Sequence, residues 1–232
     1  MPGPAEYILW FVGILCEAGV VVCAVKKGAF RRYLFLNLYM AASVVVSICR
    51  YEVLTHAGFS SPAYLYFYYY SDAVLTILLY FALTSLYAHV FGELQANRYV
   101  RLGAVVLLAG TAVFSYAVVQ QSSAKMITHF VVELSQNLYF VGLVLTYLLW
   151  AAIMKMRETR TQLVQLVLAL GVYFSLFAAT YALRNLYPSM SSVFMSLLQM
   201  FGLVLPVAWA YAFWRLSTDE RIVPARLALV PR

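Results

Sequence analysis

Apolar residues dominate seven segments of the chain, each about 20 residues long and bounded by charged or turn-forming residues. About 20 apolar residues in a helix cross roughly 30 Å of hydrocarbon, so each segment predicts a transmembrane helix. The segments are approximately 6–25, 33–54, 64–90, 102–120, 129–154, 163–187 and 193–214. The pattern predicts an all-α, polytopic membrane protein with a single seven-helix transmembrane domain over residues 1–228.

Composition agrees with this interpretation. Hydrophobic residues make up 64% of the chain and charged residues 11%, whereas about a quarter of the residues in soluble domains are charged. The breaks between segments, such as "KKGAFRR" and "HAGFSSPA", are too short to form a separate catalytic or signalling domain. The terminal "LVPR", residues 229–232, resembles the remnant of a thrombin-cleavable tag and is left out of functional reasoning.

The distribution of lysine and arginine predicts the orientation, because basic residues near the ends of spans stay on the cytoplasmic side. Nearly all of them fall on one side of the predicted bundle, and Lys125 is the exception in a loop. We expect the N-terminus outside and the C-terminus in the cytoplasm. The net charge of +7 follows from this asymmetry, so it does not indicate a nucleic-acid partner. The basic side carries Lys26, Lys27, Arg31, Arg32, Arg98, Arg101, Lys155, Arg157, Arg160, Arg215, Arg221, Arg226 and Arg232.

Cysteine and histidine give no pattern of a metal or redox site. The three cysteines lie in apolar segments without CxxC spacing, and the three histidines are far apart in sequence. We therefore expect no metal site, no cofactor and no catalytic residue of a recognised kind.

Ionisable side chains inside the predicted spans are the candidates for function, because each costs about 2.5–3.5 kcal/mol near the centre of a membrane helix. A rise of about 1.5 Å per residue puts nearly all of them in the extracytoplasmic half. The inner half offers mainly hydroxyl residues, with Asn37 and, near its end, His89. This one-sidedness predicts a polar pocket open to the outside, above an apolar floor.

Helical spacing brings several of these side chains onto shared faces. The predicted ligand-binding residues are Glu17, Arg50, Tyr68, Tyr69, Asp72, Thr76, Glu133, Gln136, Asn137, Tyr181, Arg184 and Gln199. A structural alternative stays open, in which Asp72 pairs with Arg50 or Arg184 in a closed ion-pair network that fixes helix register. Pro206 predicts a kink in the seventh span.

Two segments, "YLYFYYYSDAVLTILLYFALTSLYAHVF" and "KKGAFRRYLFLNLYM", resemble the third and second spans of a group of short bacterial seven-span membrane proteins. The resemblance covers two of the seven spans. It implies a location in the bacterial cytoplasmic (inner) membrane and no particular activity.

Three functions are compatible with these patterns. The first is a receptor-like or sensory protein that binds a small molecule and contacts a cytoplasmic partner protein, with membrane lipids around it. The second is a small-solute or proton-coupled transporter, in which Glu17 or Asp72 titrates and a weak similarity between "WFVGIL" and "YFVGLV" reflects an internal repeat. The third is an intramembrane enzyme that acts on a lipid-like substrate.

Overall fold

The computed structural model describes residues 4–58, 61–91, 97–120, 126–156 and 160–215. This part of the chain forms eight α-helices, with a short 3-10 helix, Pro188–Met190, before the seventh. The α-helices are α1 (Pro4–Lys26), α2 (Leu34–Ala57), α3 (Pro62–Val90), α4 (Asn97–Gln120), α5 (Met126–Met156), α6 (Thr161–Leu186), α7 (Ser191–Phe201) and α8 (Val204–Arg215). The predicted all-α class is confirmed. The suspected tag remnant, residues 229–232, lies outside the described residues.

Local sequence explains two of the helix boundaries. After α1, Gly28 has a φ of 66°, which glycine adopts without steric cost. The following amide, that of Ala29, donates a 2.9 Å hydrogen bond to Ala24 O, so the helix ends in a Schellman motif. At the start of α3, the Ser61 hydroxyl accepts a 3.1 Å hydrogen bond from the Tyr64 amide, and Pro62 occupies the first helical position.

The predicted seventh span, 193–214, is not one continuous helix. It is divided into α7 and α8 by a turn at Gly202 and Leu203. Pro206 explains the division, because it has no amide hydrogen to donate to the carbonyl of Gly202 and its ring clashes with that carbonyl. The predicted kink therefore exists, and the turn lies one helical turn before the proline.

Within the described part of the chain, six helical segments are long and apolar enough to cross a membrane, which is consistent with an integral membrane protein. They are Tyr7–Lys26, Leu34–Ala57, Pro62–Val90, Phe130–Lys155, Thr161–Leu186 and Ser196–Arg215. The predicted fourth span corresponds to α4, which contains a shorter apolar segment, Val105–Ala117. A seventh crossing therefore depends on α4 and is taken up below.

The two ends of the bundle differ in character. At the aromatic end, where α1 and α3 begin and α2 ends, tyrosines are concentrated, and Trp10 meets the ring of Tyr51 with centroids 6.1 Å apart. At the basic end, α1, α3, α5 and α8 end near the start of α2 and α6, and Tyr33 stacks on His89 at 5.2 Å. The basic end carries Lys26, Lys27, Arg31, Arg32, Lys155, Arg160 and Arg215.

The most tightly packed part of the core lies in the half nearer the basic end. Trp209 of α8 is fully buried, and its indole N–H donates a 3.2 Å hydrogen bond to Leu166 O of α6. The same core cluster contains apolar side chains with at most 1% exposure from four helices: Leu36, Met40, Leu79, Leu83, Leu86, Leu163, Leu166, Leu170 and Phe213. This packing fixes the helices against which the polar residues of the other half are arranged.

Candidate functional site

Glu17 of α1 is held by a serine of α2. The Ser43 hydroxyl donates a 2.6 Å hydrogen bond to Glu17 Oε1, and Ser43 itself is only 6% exposed. The other carboxylate oxygen, Glu17 Oε2, is buried and has no hydrogen-bond partner among the residues that the structure describes. Buried polar atoms are nearly always paired, so this oxygen is an acceptor available to a donor group.

Arg50, near the end of α2, has its hydrogen-bond donors directed at α3. Its Nε donates to Ser71 Oγ at 2.9 Å and its Nη2 to Tyr68 O at 3.0 Å. The guanidinium carbon also lies 4.3 Å from the centroid of the Tyr68 ring, which is within the range of a cation–π interaction. These contacts join α2 to α3 and leave Arg50 well satisfied.

Asp72 of α3 is half-buried. Its carboxylate faces Ser135 of α5 and is within electrostatic range of the Arg50 guanidinium. Ser135 is 3% exposed. We call Glu17, Arg50, Asp72 and the serines Ser43, Ser71 and Ser135 the polar cluster. Four tyrosines lie within electrostatic range of Asp72: Tyr39, Tyr68, Tyr139 and Tyr181.

Buried phenols from three helices lie below the polar cluster. The hydroxyl of Tyr173 on α6 is hydrogen-bonded with those of Tyr39 on α2 and Tyr139 on α5. The three residues are 5%, 8% and 4% exposed, respectively. Phe177 stacks on Tyr139 with centroids 4.9 Å apart and lies 4.3 Å from Tyr173. We call Tyr39, Tyr139 and Tyr173 the phenol group; it closes the polar cluster toward the basic end.

Some predicted site residues adjoin these two groups. Tyr69 is half-buried and meets the Tyr68 ring edge-on at 5.7 Å. Tyr181 lies 5.5 Å from the Tyr139 ring and within electrostatic range of Arg184. Arg184 is half-buried in the last turn of α6. The predicted tyrosines Tyr69 and Tyr181 thus lie around the polar cluster.

Other predicted site residues do not join the polar cluster through their side chains. Thr76 is buried, and its hydroxyl donates to the backbone oxygen of Asp72 at 2.8 Å within the same helix. Asn137 donates to Ser115 Oγ at 3.0 Å and so joins α5 to α4. Glu133 and Gln136 are half-buried on α5, and Gln199 is exposed on α7. On α5, Asn137 therefore faces α4, whereas Ser135, which was not among the predicted residues, faces Asp72.

Sequence reasoning missed the hydroxyl residues Tyr39, Ser43, Ser71, Ser135 and Tyr139. A signal was present on α2, because Tyr39, Ser43 and Arg50 are four and seven residues apart and such spacings share one helical face. Serines are common on membrane helices as ordinary packing residues. A serine in the sequence therefore does not reveal whether it belongs to a binding site or to a contact between helices.

Two buried amides lie in the half near the basic end, and only Asn37 was expected there. The Asn37 side-chain nitrogen donates to Tyr33 O at 2.9 Å, and that of Gln162 to Ala212 O at 3.4 Å. Both side-chain oxygens are buried without partners. About 16 Å of helix, at 1.5 Å per residue, separates Gln162 from Tyr173 of the phenol group on α6, and the interval is filled by apolar side chains such as Leu166 and Leu170.

Comparison with protein-family models, with curated proteins and with solved structures finds no match to this chain. Within the described ranges, no group of three or more His, Cys, Asp or Glu side chains is arranged to hold a metal ion. Function is therefore argued from the geometry of the polar cluster.

Proposed function

We propose that this protein is a receptor-like or sensory protein of the bacterial inner membrane, in which the polar cluster binds a small molecule that arrives from outside. The bacterial membrane follows from the family resemblance of the second and third spans. The proposal takes the aromatic end as extracytoplasmic and the basic end as cytoplasmic. That orientation is supported by the lysines and arginines gathered at the basic end, following the positive-inside rule.

A seventh crossing by α4 completes this topology. The 24 residues of α4, Asn97–Gln120, are long enough to span about 30 Å of hydrocarbon at 1.5 Å per residue. Its side chains also contact α5, as in the hydrogen bond between Asn137 and Ser115. An odd number of crossings puts the N-terminus and the C-terminus on opposite sides.

The observation that carries the proposal is the unpartnered Glu17 Oε2 in a cluster built from several helices. A buried acceptor without a donor costs about 1–3 kcal/mol, and a ligand that donates a hydrogen bond recovers that cost. Arg50 already interacts with the Ser71 hydroxyl and with the backbone oxygen and ring of Tyr68, whereas Glu17 Oε2 finds no donor among the described residues. The site therefore favours a ligand with a donor group over one that offers only acceptors.

The charge and the rings define the ligand class further. Glu17 and Asp72 are acidic, and the phenol group presents aromatic rings beside them. Carboxylates with aromatic neighbours attract ammonium groups through charge and through cation–π interaction. We infer a small amine or another cationic hydrogen-bond donor.

A connection toward the cytoplasmic side runs through α8. Tyr39 of the phenol group meets Trp209 edge-on at 6.3 Å, and Trp209 is hydrogen-bonded to Leu166. A ligand that shifts Tyr39 would therefore press on the fully buried Trp209 and, through it, on the end of α8. A cytoplasmic partner protein would recognise that change by binding at the basic end.

The direct test is a thermal-shift titration of the purified full-length chain in detergent, with a panel of small amines and matched carboxylates. We expect at least one amine to raise the unfolding temperature saturably, because a ligand that binds only the folded state stabilises it. Glu17→Gln should abolish this shift. The matched control is Glu133→Gln, which neutralises a half-buried carboxylate of α5 outside the polar cluster and should retain the shift.

Two results would contradict the proposal. One is the absence of a saturable shift with every compound while the variants fold normally. The other is an equal loss in Glu17→Gln and Glu133→Gln, which would show a general charge effect.

A proton-coupled or small-solute transporter is the second candidate, and the division between α7 and α8 favours it. Discontinuous membrane helices are common beside transport sites. A Cβ added at Gly13 of α1 would lie 3.4 Å from Leu203 in the dividing turn, and Gly13 is one helical turn from Glu17. Proteoliposomes distinguish the two candidates: ligand-dependent uptake or proton flux that is lost in Glu17→Gln supports transport, and binding without flux supports the receptor.

A further inference from the structure

A groove of about 380 Å³ lies between α1 and α8 at the basic end, lined by Cys23, Lys26, Lys27 and Trp214. The groove is at the opposite end of the bundle from the aromatic end, and none of its lining residues belongs to the polar cluster.

The wall of the groove is almost entirely apolar, and two charged lysines stand at its rim. Both lysines are exposed and bring two positive charges to the last turn of α1 and the residue after it. Trp214 is 64% exposed, and Cys23 lies one helical turn from the lysines toward the membrane centre. The charged part is thus nearer the surface and the apolar part is nearer the hydrocarbon.

The apolar part continues along α1. Val22 and Val25 are 51% and 59% exposed, and nothing lies within 4 Å of a Cβ built at Gly19. Gly19 and Cys23 are four residues apart and share a helical face. An extended hydrocarbon chain can therefore follow α1 away from the groove.

We propose that this groove binds an anionic phospholipid, with its phosphate between Lys26 and Lys27, its glycerol region against Trp214 and an acyl chain along α1. Basic pockets between membrane helices on the cytoplasmic side bind such headgroups, and tryptophan favours the headgroup level. A zwitterionic lipid is disfavoured because its own ammonium group is repelled by the lysines. This site is independent of the ligand proposed for the polar cluster.

The test is a lipid titration of the full-length protein, followed by native mass spectrometry, with phosphatidylglycerol and phosphatidylcholine of identical chains. We expect one phosphatidylglycerol to bind at least about tenfold more tightly than phosphatidylcholine, since each lysine contributes about 1 kcal/mol. Lys26→Gln/Lys27→Gln should remove this preference. The matched control, Arg31→Gln/Lys155→Gln, removes two exposed charges from the same end and should keep the affinity within about twofold.

Three results would overturn the site: no preference between the two lipids, equal losses in both double variants, or inorganic phosphate that binds as tightly as the lipid. Trp214→Ala gives a second measurement that does not depend on the lysine variants folding. It removes an exposed side chain and should weaken phosphatidylglycerol binding severalfold. Unchanged binding in a folded Trp214→Ala protein would also count against the groove.

Discussion

At the aromatic end, α2 is joined to α1 and α3 by hydrogen bonds of Glu17 and Arg50, whereas toward the basic end the same helix packs through Leu36 and Met40. Hydrogen bonds between a charged group and a neutral hydroxyl depend strongly on geometry and can be exchanged for bonds to a ligand. Dispersion contacts of buried apolar side chains are individually weak and are lost when a cavity opens. The first half is therefore suited to binding, and the second half keeps the bundle together.

The largest test of this comparison replaces a tryptophan in each half. Trp209→Ala should lower the free energy of unfolding by about 3–5 kcal/mol, because it leaves a large cavity in a site with 0% exposure. Trp10→Ala at the aromatic end should cost about 1 kcal/mol, since Trp10 is only half-buried. SDS titration of both variants measures the difference. Equal losses would show that the halves are not stabilised differently.

A smaller effect is expected where the two halves meet. A Cβ added at Gly142 of α5 would overlap the ring of Phe174, which is 1% exposed. Gly142→Ala should therefore destabilise the protein by about 2 kcal/mol through overpacking.

Gly110→Ala on α4 is the matched control, because nothing lies within 4 Å of its added Cβ. This variant should be neutral or stabilising by up to about 1 kcal/mol, as alanine is the better helix former. The thermal unfolding midpoints of both variants are measured in the same detergent. A destabilised Gly110→Ala protein together with an unaffected Gly142→Ala protein would contradict the packing described.

The third prediction concerns the polar cluster. Ser43→Ala removes the donor to Glu17 Oε1 and leaves both carboxylate oxygens without a partner, which should cost about 1.5 kcal/mol. The same variant should weaken ligand binding, because Glu17 is no longer held in one rotamer. Ser47→Ala, half-buried one turn further along α2, is the control and should change stability by less than about 0.5 kcal/mol. A larger loss of stability in Ser47→Ala than in Ser43→Ala would contradict the role given to the hydrogen bond between Ser43 and Glu17.

The smallest effect is expected for a polar residue of the basic half. Gln162→Met removes a 3.4 Å hydrogen bond together with a buried oxygen that has no partner. Its unfolding free energy should stay within about 1 kcal/mol of the original, because replacing an incompletely satisfied polar group by an apolar one of similar shape is nearly neutral. A loss above about 2 kcal/mol would mean that this half also depends on polar contacts.

Much of the fold was accessible from the sequence. All seven apolar segments correspond to helical regions, and the Ser61-Pro62 pair and Gly28 mark boundaries that the structure shows. The division between α7 and α8 was only half predicted, because a proline indicates a kink but not whether the chain forms a turn there.

Less of the candidate site was accessible. Glu17, Arg50 and Asp72 were identified because a charge in an apolar segment is conspicuous, and the structure brings them near one another. Their serine partners were missed, and Gln162 fell just outside the predicted sixth span. Asn137 and Gln199 share the sequence character of the other candidates, yet one bonds to α4 and the other is exposed.

By itself the sequence determined the helices, their approximate ends and the position of each charge along its helix, because these depend on hydropathy and on a fixed rise per residue. Only the tertiary structure decided which face of each helix meets a neighbour. In a soluble helix an apolar stripe marks the buried face, but in lipid both the packed face and the outer face are apolar. That is why Ser43 and Ser135 become recognisable as part of a site only when α1 and α3 are seen beside them.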